Sequence, residues 1–129
     1  MFAEITLTTV EGAERKVPML SHAAIPIRYK NLFHKDLMIE VANFLGEGGM
    51  DDSTFSTVMD MVPQLSYVMA MAAEHTDMSK LTFDGYVAWL EGFSSETFIA
   101  HAGEIIDIYY GNMKGDSKPK NPKARQSAK

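Results

Sequence analysis

The chain has 129 residues, of which 46% are hydrophobic and 22% charged, a composition typical of one globular domain. It contains no cysteine, which excludes disulfide bonds, cysteine-ligated zinc, iron–sulfur clusters and thiol nucleophiles. Its net charge of −5 divides into +5 over residues 114–129 and −10 over residues 1–113. Because acidic surfaces repel phosphate, residues 1–113 are not expected to bind nucleic acid, and only the basic tail could attract it.

Signals for membrane insertion or export are not found in the sequence. No apolar run approaches the roughly 20 residues that span a bilayer. The N-terminus alternates like a strand and lacks the basic start and apolar middle of a signal peptide. The absence of cysteine also fits a reducing compartment such as the cytoplasm. We therefore expect a cytoplasmic protein with no membrane partner.

The first twenty residues predict a β-hairpin. Ile5 and Leu7 alternate with polar residues as in a half-buried strand, and residues 11–14 have the composition of a turn. Residues 16–20 can return as a second strand, which is short or lies at an edge because Pro18 has no N–H. A lone hairpin is not stable in water, so Ile5 and Leu7 should contact helical side chains.

The remaining elements are predicted to be helical. Capping side chains, prolines and terminal glycines set their limits. The predicted helices run from Pro26 to about His34, Asp36 to Gly46, Asp52 or Ser53 to about His75, Thr82 to Leu90, and Ser94 or Ser95 to Gly111. Pro63, inside the third, predicts a kink or the start of a new helix. These elements predict an α+β, mainly α fold: a hairpin and about five helices at 1–112, followed by a flexible basic tail at 113–129.

Motifs that carry catalysis or hold cofactors are not recognisable. The four histidines, at positions 22, 34, 75 and 101, show no metal-ligand spacing. The glycine-rich stretch at 46–49 lacks the lysine of a phosphate-binding loop, and no serine lies in a nucleophile elbow. We therefore expect no cofactor, no metal and no enzymatic activity; a small hydrolase would require carboxylates or histidines clustered in a pocket.

Apolar residues outside the core stripes are the candidate binding residues. The predicted stripes are Val58, Met61, Val62, Leu65, Val68, Met69 and Ala72 in the long helix, Phe83, Val87 and Leu90 in the short helix, and Phe98, Ile99, Ala102, Ile105, Ile106 and Tyr109 in the last. Tyr67, Met71, Trp89 and Ile108 lie outside these stripes, and we predict that they bind a partner protein. The alternative is that a small bundle buries more than one helix face. Ten methionines, which adapt to varied partners, favour protein binding.

Three motifs resemble those of the tail assembly chaperones of long-tailed phages of Gram-positive hosts. The first is the Pro-x-Arg-Tyr-x-x-x-Phe-x-x-Asp-Leu pattern at 26–37, which follows the hairpin as it does in that family. The second is Leu-Ser-Tyr-Val-Met-Ala at 65–70, where Ser66 stands in place of a commoner alanine. The third is Tyr-Val-Ala-Trp-Leu-Glu-Gly-Phe at 86–93, followed by an acidic-apolar helix and a lysine-rich end.

The resemblance implies a non-enzymatic protein in the cytoplasm of the bacterial host. Such chaperones bind the helical tape measure protein before the tail tube polymerises, and helix-in-groove recognition is the expected mode. A longer form made by ribosomal frameshifting would recruit the tail tube protein, and residues 119–123 permit a slippery heptamer in the gene. The alternative function is a small nucleic-acid-associated regulator acting through its basic tail. Self-association is left open.

Overall fold

The computed structural model describes residues 1–44 and 52–113. In that part of the chain an antiparallel hairpin precedes six α-helices and a 3₁₀ turn. The strands are β1 (Phe2–Thr8) and β2 (Glu14–Leu20); the helices are α1 (Ile25–Phe33), α2 (Leu37–Phe44), α3 (Asp52–Ala73), α4 (Phe83–Leu90), α5 (Thr97–Ala100) and α6 (Ala102–Met113), with the 3₁₀ turn at Met78–Lys80. The α+β, mainly α fold is confirmed. The predicted connection at 46–49 and the tail from residue 114 onwards lie outside the described residues.

The hairpin packs on the helices through one face. Ile5 pairs with Val17 across the two strands, and both are almost fully buried. Leu7, on the same face, is completely buried. Against this face, α3 packs on β2, and α5 and α6 pack on β1. The period of two therefore predicted the buried face correctly, and its contact with the helices is confirmed.

The central element is α3, which the hairpin and the helices α1, α2, α4, α5 and α6 all contact. Every residue from Met61 to Ala70 is buried. The helix continues through Pro63 and does not begin anew there, although the missing N–H removes one backbone hydrogen bond. The predicted stripe from Met61 to Ala72 is buried as expected, and the side chain of Val58 lies outside the described residues.

Two of the predicted capping side chains, Asp36 and Thr82, are confirmed, whereas the prediction that Ser94 or Ser95 caps the last helix is wrong, because Glu96 precedes α5 and makes no capping hydrogen bond through its side chain. The Thr82 side chain accepts a hydrogen bond from the backbone N–H of Gly85 at 3.0 Å, which starts α4. Asp36 Oδ1 accepts from the N–H of Ile39 at 3.3 Å in the first turn of α2. His34 ends α1 in the left-handed conformation, with φ of 60°.

The prediction of one last helix ending at Gly111 is wrong. Two helices, α5 and α6, occupy this segment, and His101 between them has φ of −110° and ψ of 16°. Thr97 opens α5, and its Oγ1 accepts a hydrogen bond from the backbone N–H of Thr8 at 2.9 Å. That tertiary bond fixes the start of α5 against the hairpin, and α6 then continues two residues beyond Gly111.

Candidate functional site

Two of the four predicted binding residues lie in the hydrophobic core. Tyr67 is 4% exposed and Ile108 is 6% exposed. The expectation that they lie outside the core is wrong, because other elements cover more than one face of α3 and of α6. The ring of Tyr67 packs against α4, with its centroid 5.5 Å from that of Tyr86 and 5.4 Å from that of Trp89.

The other two, Met71 and Trp89, are half-buried and pack against the core. Met71 lies near the end of α3, where the hydroxyl of Thr76 is 3.9 Å from its sulfur. The Trp89 indole lies 4.8 Å from the ring of Phe93 and 5.8 Å from that of Phe98, measured between centroids. Part of each side chain is accessible, and a role in binding a partner stays a prediction for both.

The buried face of α4 differs from its predicted stripe. The spacing of Phe83 from Val87 and Leu90 predicts that Phe83 is buried, yet it is 54% exposed, and Tyr86 is the buried residue. The reason is tertiary: Tyr86 meets the ring of Phe33 on α1 edge-on at 5.0 Å, whereas Phe83 reaches the same ring only at 6.2 Å. Val87 and Leu90 are half-buried.

A continuous set of ring contacts runs from α1 to α5. This aromatic cluster consists of Tyr29, Phe33, Tyr67, Phe83, Tyr86, Trp89, Phe93 and Phe98. Neighbouring centroids lie between 4.8 and 6.2 Å apart in tilted or edge-on arrangements, which suit the quadrupoles of the rings. No sequence pattern predicts this cluster, because helical periodicity relates residues within one element, whereas these rings come from four helices and a loop.

An apolar cleft of about 320 Å³ opens where the aromatic cluster reaches α5. It is lined by Met59, Pro63, Leu90, Phe93, Ser94, Ser95, Phe98 and Ile99. Phe93 and Phe98 are 5% and 4% exposed and form its floor, whereas Met59 is 41% exposed and lies at the rim. Met59 adds a flexible, polarizable side chain that can adapt to different occupants.

The wall formed by the segment between α4 and α5 is held by backbone hydrogen bonds to the hairpin. The N–H of Val10 donates to the carbonyl of Gly92 at 3.0 Å, and the N–H of Ser94 donates to the carbonyl of Thr8 at 2.9 Å. Of the described residues that line the cleft, Ser94 and Ser95 carry the polar side chains. This arrangement is preformed and suited to burying apolar side chains of another molecule.

A second, shallower apolar patch lies on α1 and α2. Ile27, Met38 and Ile39 are 62%, 48% and 60% exposed. The adjoining depression has a volume of about 230 Å³ and includes the charged residues Lys30 and Asp36. The sequence reasoning did not select this α1–α2 patch, and its shallow, partly charged form makes it a weaker candidate than the cleft.

A partly buried polar network joins α1, α2 and α3. The hydroxyl of Tyr29 donates to Glu40 Oε1 at 2.5 Å and lies 3.0 Å from Gln64 Oε1. Lys35 Nζ donates to Gln64 Oε1 at 3.1 Å and lies 3.8 Å from the carboxylate of Glu40. Tyr29 is completely buried and Gln64 is 8% exposed, whereas the side chains of Lys35 and Glu40 are partly exposed, so the network links two buried groups to two that reach water.

Burial is the main cause of the raised pKa of the Tyr29 hydroxyl, and the hydrogen bond to the Glu40 carboxylate raises it further. Burial likewise raises the pKa of Tyr86, with a smaller contribution from Asp60. Both hydroxyls therefore keep their protons well above neutral pH. For Tyr29 this means that its O–H remains a donor to Glu40.

Within residues 1–44 and 52–113, no group of three or more His, Asp or Glu side chains is placed to hold a metal ion. In the same ranges, no helix combines the length and the apolar composition needed to cross a membrane. Comparison of the chain with known protein families, curated proteins and solved structures gives no match.

Proposed function

We propose that the protein is a tail assembly chaperone of a long-tailed phage, acting in the cytoplasm of the bacterial host. It binds helical segments of the tape measure protein and keeps that protein soluble until the tail tube polymerises. The observation that carries the proposal is the apolar cleft between α3, α4 and α5. A preformed apolar groove of this kind accepts the side chains of one helix face.

The three motifs of the resemblance give separate support. In the first, Tyr29, Phe33 and Leu37 are buried, and Asp36 accepts a hydrogen bond in the first turn of α2. Most motif residues therefore build the scaffold, and their order along the chain supports a related fold. The third motif, at 86–93, reaches the cleft, since Leu90 and Phe93 line it.

The size of the cleft suits reversible binding. It can accept a few apolar side chains, each contributing about 1.5–3 kcal/mol when it is fully buried. Part of this free energy is offset by the loss of translational and rotational freedom on association. One cleft therefore gives weak binding to one segment, and several chaperone molecules along a long client give reversible coverage that the polymerising tube can displace.

The test is co-expression with the tape measure protein of the same genome, with the soluble fraction of that client as the readout. Met59→Glu places a charge at the cleft and should reduce client solubility about tenfold. Met38→Glu, on the α1–α2 patch, is the matched control, because Met38 is exposed to a similar extent, at 48% against 41% for Met59. The control should leave client solubility unchanged, and the melting temperature of both variants should stay close to that of the parent.

Three results would contradict the proposal. If only Met38→Glu abolishes solubilisation of the client, the client binds at the α1–α2 patch and not in the cleft. A client equally insoluble with and without the protein would overturn the chaperone function. Retention of nucleic acid by the full chain, with affinity falling steeply as salt rises, would support the regulator that acts through its basic tail.

A further inference from the structure

Lysine and arginine are absent from the helices that form the cleft. The sequence contains neither residue between positions 52 and 79 or between 81 and 113. In the described part of the chain, the basic side chains belong to the hairpin, to α1 and its following turn, and to the 3₁₀ turn: Arg15, Lys16, Arg28, Lys30, Lys35 and Lys80. The charge of the molecule is therefore unevenly distributed around α3.

Acidic side chains flank the cleft. Glu91 and Glu96 are exposed and bracket the loop whose residues Phe93, Ser94 and Ser95 line it. Asp60, also exposed, follows Met59 on α3. The guanidinium of Arg15 lies 5.1 Å from the ring centroid of Phe93 but reaches it from β2 and is not part of the cleft lining. The rim is thus acidic around an apolar floor.

We infer that the cleft takes an amphipathic helix whose apolar stripe is flanked by lysine or arginine. The inference rests on the proposed function, since the tape measure protein would be the natural source of such helices. Apolar contacts give affinity for many clients, whereas complementary charges around them speed the encounter and select among clients. The acidic rim therefore sets which segments of a long helical client are covered first.

The experiment uses two synthetic peptides of about 18 residues, long enough for partial helicity. They share one leucine stripe, contain no tryptophan, and carry either lysines or glutamates beside the stripe. Trp89 is the single tryptophan of the chain and contacts the cleft floor, so its fluorescence reports on occupancy in the full-length protein. The lysine peptide should bind about tenfold more tightly at low salt, and the ratio should approach one near 1 M salt.

The substitution Glu91→Gln combined with Glu96→Gln should reduce the preference for the lysine peptide to less than about threefold. The matched control is Glu4→Gln combined with Glu74→Gln, which changes the net charge equally at exposed carboxylates of β1 and of the segment after α3, outside the cleft lining. This control should retain the preference. A preference lost equally in both variants would show a general effect of net charge and would overturn the inference.

Equal affinity for the two peptides at every salt concentration would also overturn the inference, while the chaperone function would still be judged by Met59→Glu. Failure of both peptides to bind would likewise overturn the inference about the basic helix. Without peptide, a Trp89 signal that changes with protein concentration would identify a second copy of the chain as the occupant. A change of the Trp89 signal when the lysines of segment 114–129 are replaced by glutamine, independent of concentration, would identify that segment instead, and either result would contradict an external client.

Discussion

Two neighbouring sets of contacts along α3 differ in kind. On what we call the polar side, Tyr29, Gln64 and Glu40 connect α1, α2 and α3 through hydrogen bonds, and Tyr29 and Gln64 are buried. On what we call the aromatic side, the ring of Tyr67, one helical turn after Gln64, connects α3 to α4 through a tilted contact with Trp89. Hydrogen bonds are directional and fix one arrangement, whereas ring contacts tolerate small changes of angle. The cleft opens on the aromatic side, where adjustment to an occupant costs least.

The energetic consequence of disturbing each side also differs. A buried polar group that loses its partner suffers the full desolvation penalty, so the polar network responds strongly to small chemical changes. The aromatic cluster responds to lost volume, because a missing ring leaves a cavity. The loss of stability therefore depends on lost volume on the aromatic side and on lost hydrogen bonds on the polar side.

The largest expected effect is on the aromatic side. Tyr67→Ala removes a buried ring that contacts Tyr86 and Trp89 and should lower the free energy of unfolding by about 3–5 kcal/mol. Phe83→Ala is the control, because Phe83 is 54% exposed, and it should cost about 1 kcal/mol. Urea denaturation measures both. A Tyr67→Ala variant of parental stability that fails to solubilise its client would restore the original prediction that Tyr67 is a binding residue.

On the polar side, we expect a smaller loss of stability from the removal of a single hydroxyl. Tyr29→Phe removes only a hydroxyl, yet it takes from the Glu40 carboxylate its buried donor, while Lys35 still donates to Gln64, and it should cost about 1–3 kcal/mol. Tyr86→Phe is the matched control: among the hydrogen bonds of the described residues none involves the Tyr86 hydroxyl, so its removal should change stability by less than about 0.5 kcal/mol.

The combination of Tyr29→Phe with Glu40→Leu sharpens this result. It removes the donor and its acceptor together while Lys35 still donates to Gln64, so the double variant should be more stable than the sum of the single effects predicts. Equal costs for Tyr29→Phe and Tyr86→Phe, measured by the same urea denaturation, would show that the network adds nothing to stability.

The smallest expected effect tests the close packing between α3 and α4. A Cβ at Gly85 would lie 3.1 Å from the Tyr67 hydroxyl oxygen, whereas a Cβ at Gly103 would have no neighbour within 4 Å. Gly103→Ala should therefore stabilise the protein by up to about 1 kcal/mol through helix propensity alone. Gly85→Ala should give a smaller gain or a loss, and thermal denaturation of the two variants distinguishes them. A larger gain at Gly85 would mean that the Tyr67 ring moves freely, contrary to its buried contacts.

The sequence by itself determined the elements and most of their limits. Alternation placed Ile5 and Leu7 on the buried face of the hairpin, and capping side chains such as Asp36 and Thr82 marked where helices begin. These features depend on residues a few positions apart, so they can be read from the chain alone.

Only the tertiary structure decided which side chains are enclosed and where a cleft remains. Tyr67 and Ile108 lie outside a single helical stripe but are buried because other elements cover more than one face of α3 and of α6. On α4, Tyr86 is buried and Phe83 is exposed because Tyr86 makes the closer contact with Phe33, which lies fifty positions before Phe83. The cleft lies between residues that are distant along the chain, from Met59 to Ile99, and no periodic pattern encodes contacts at that separation.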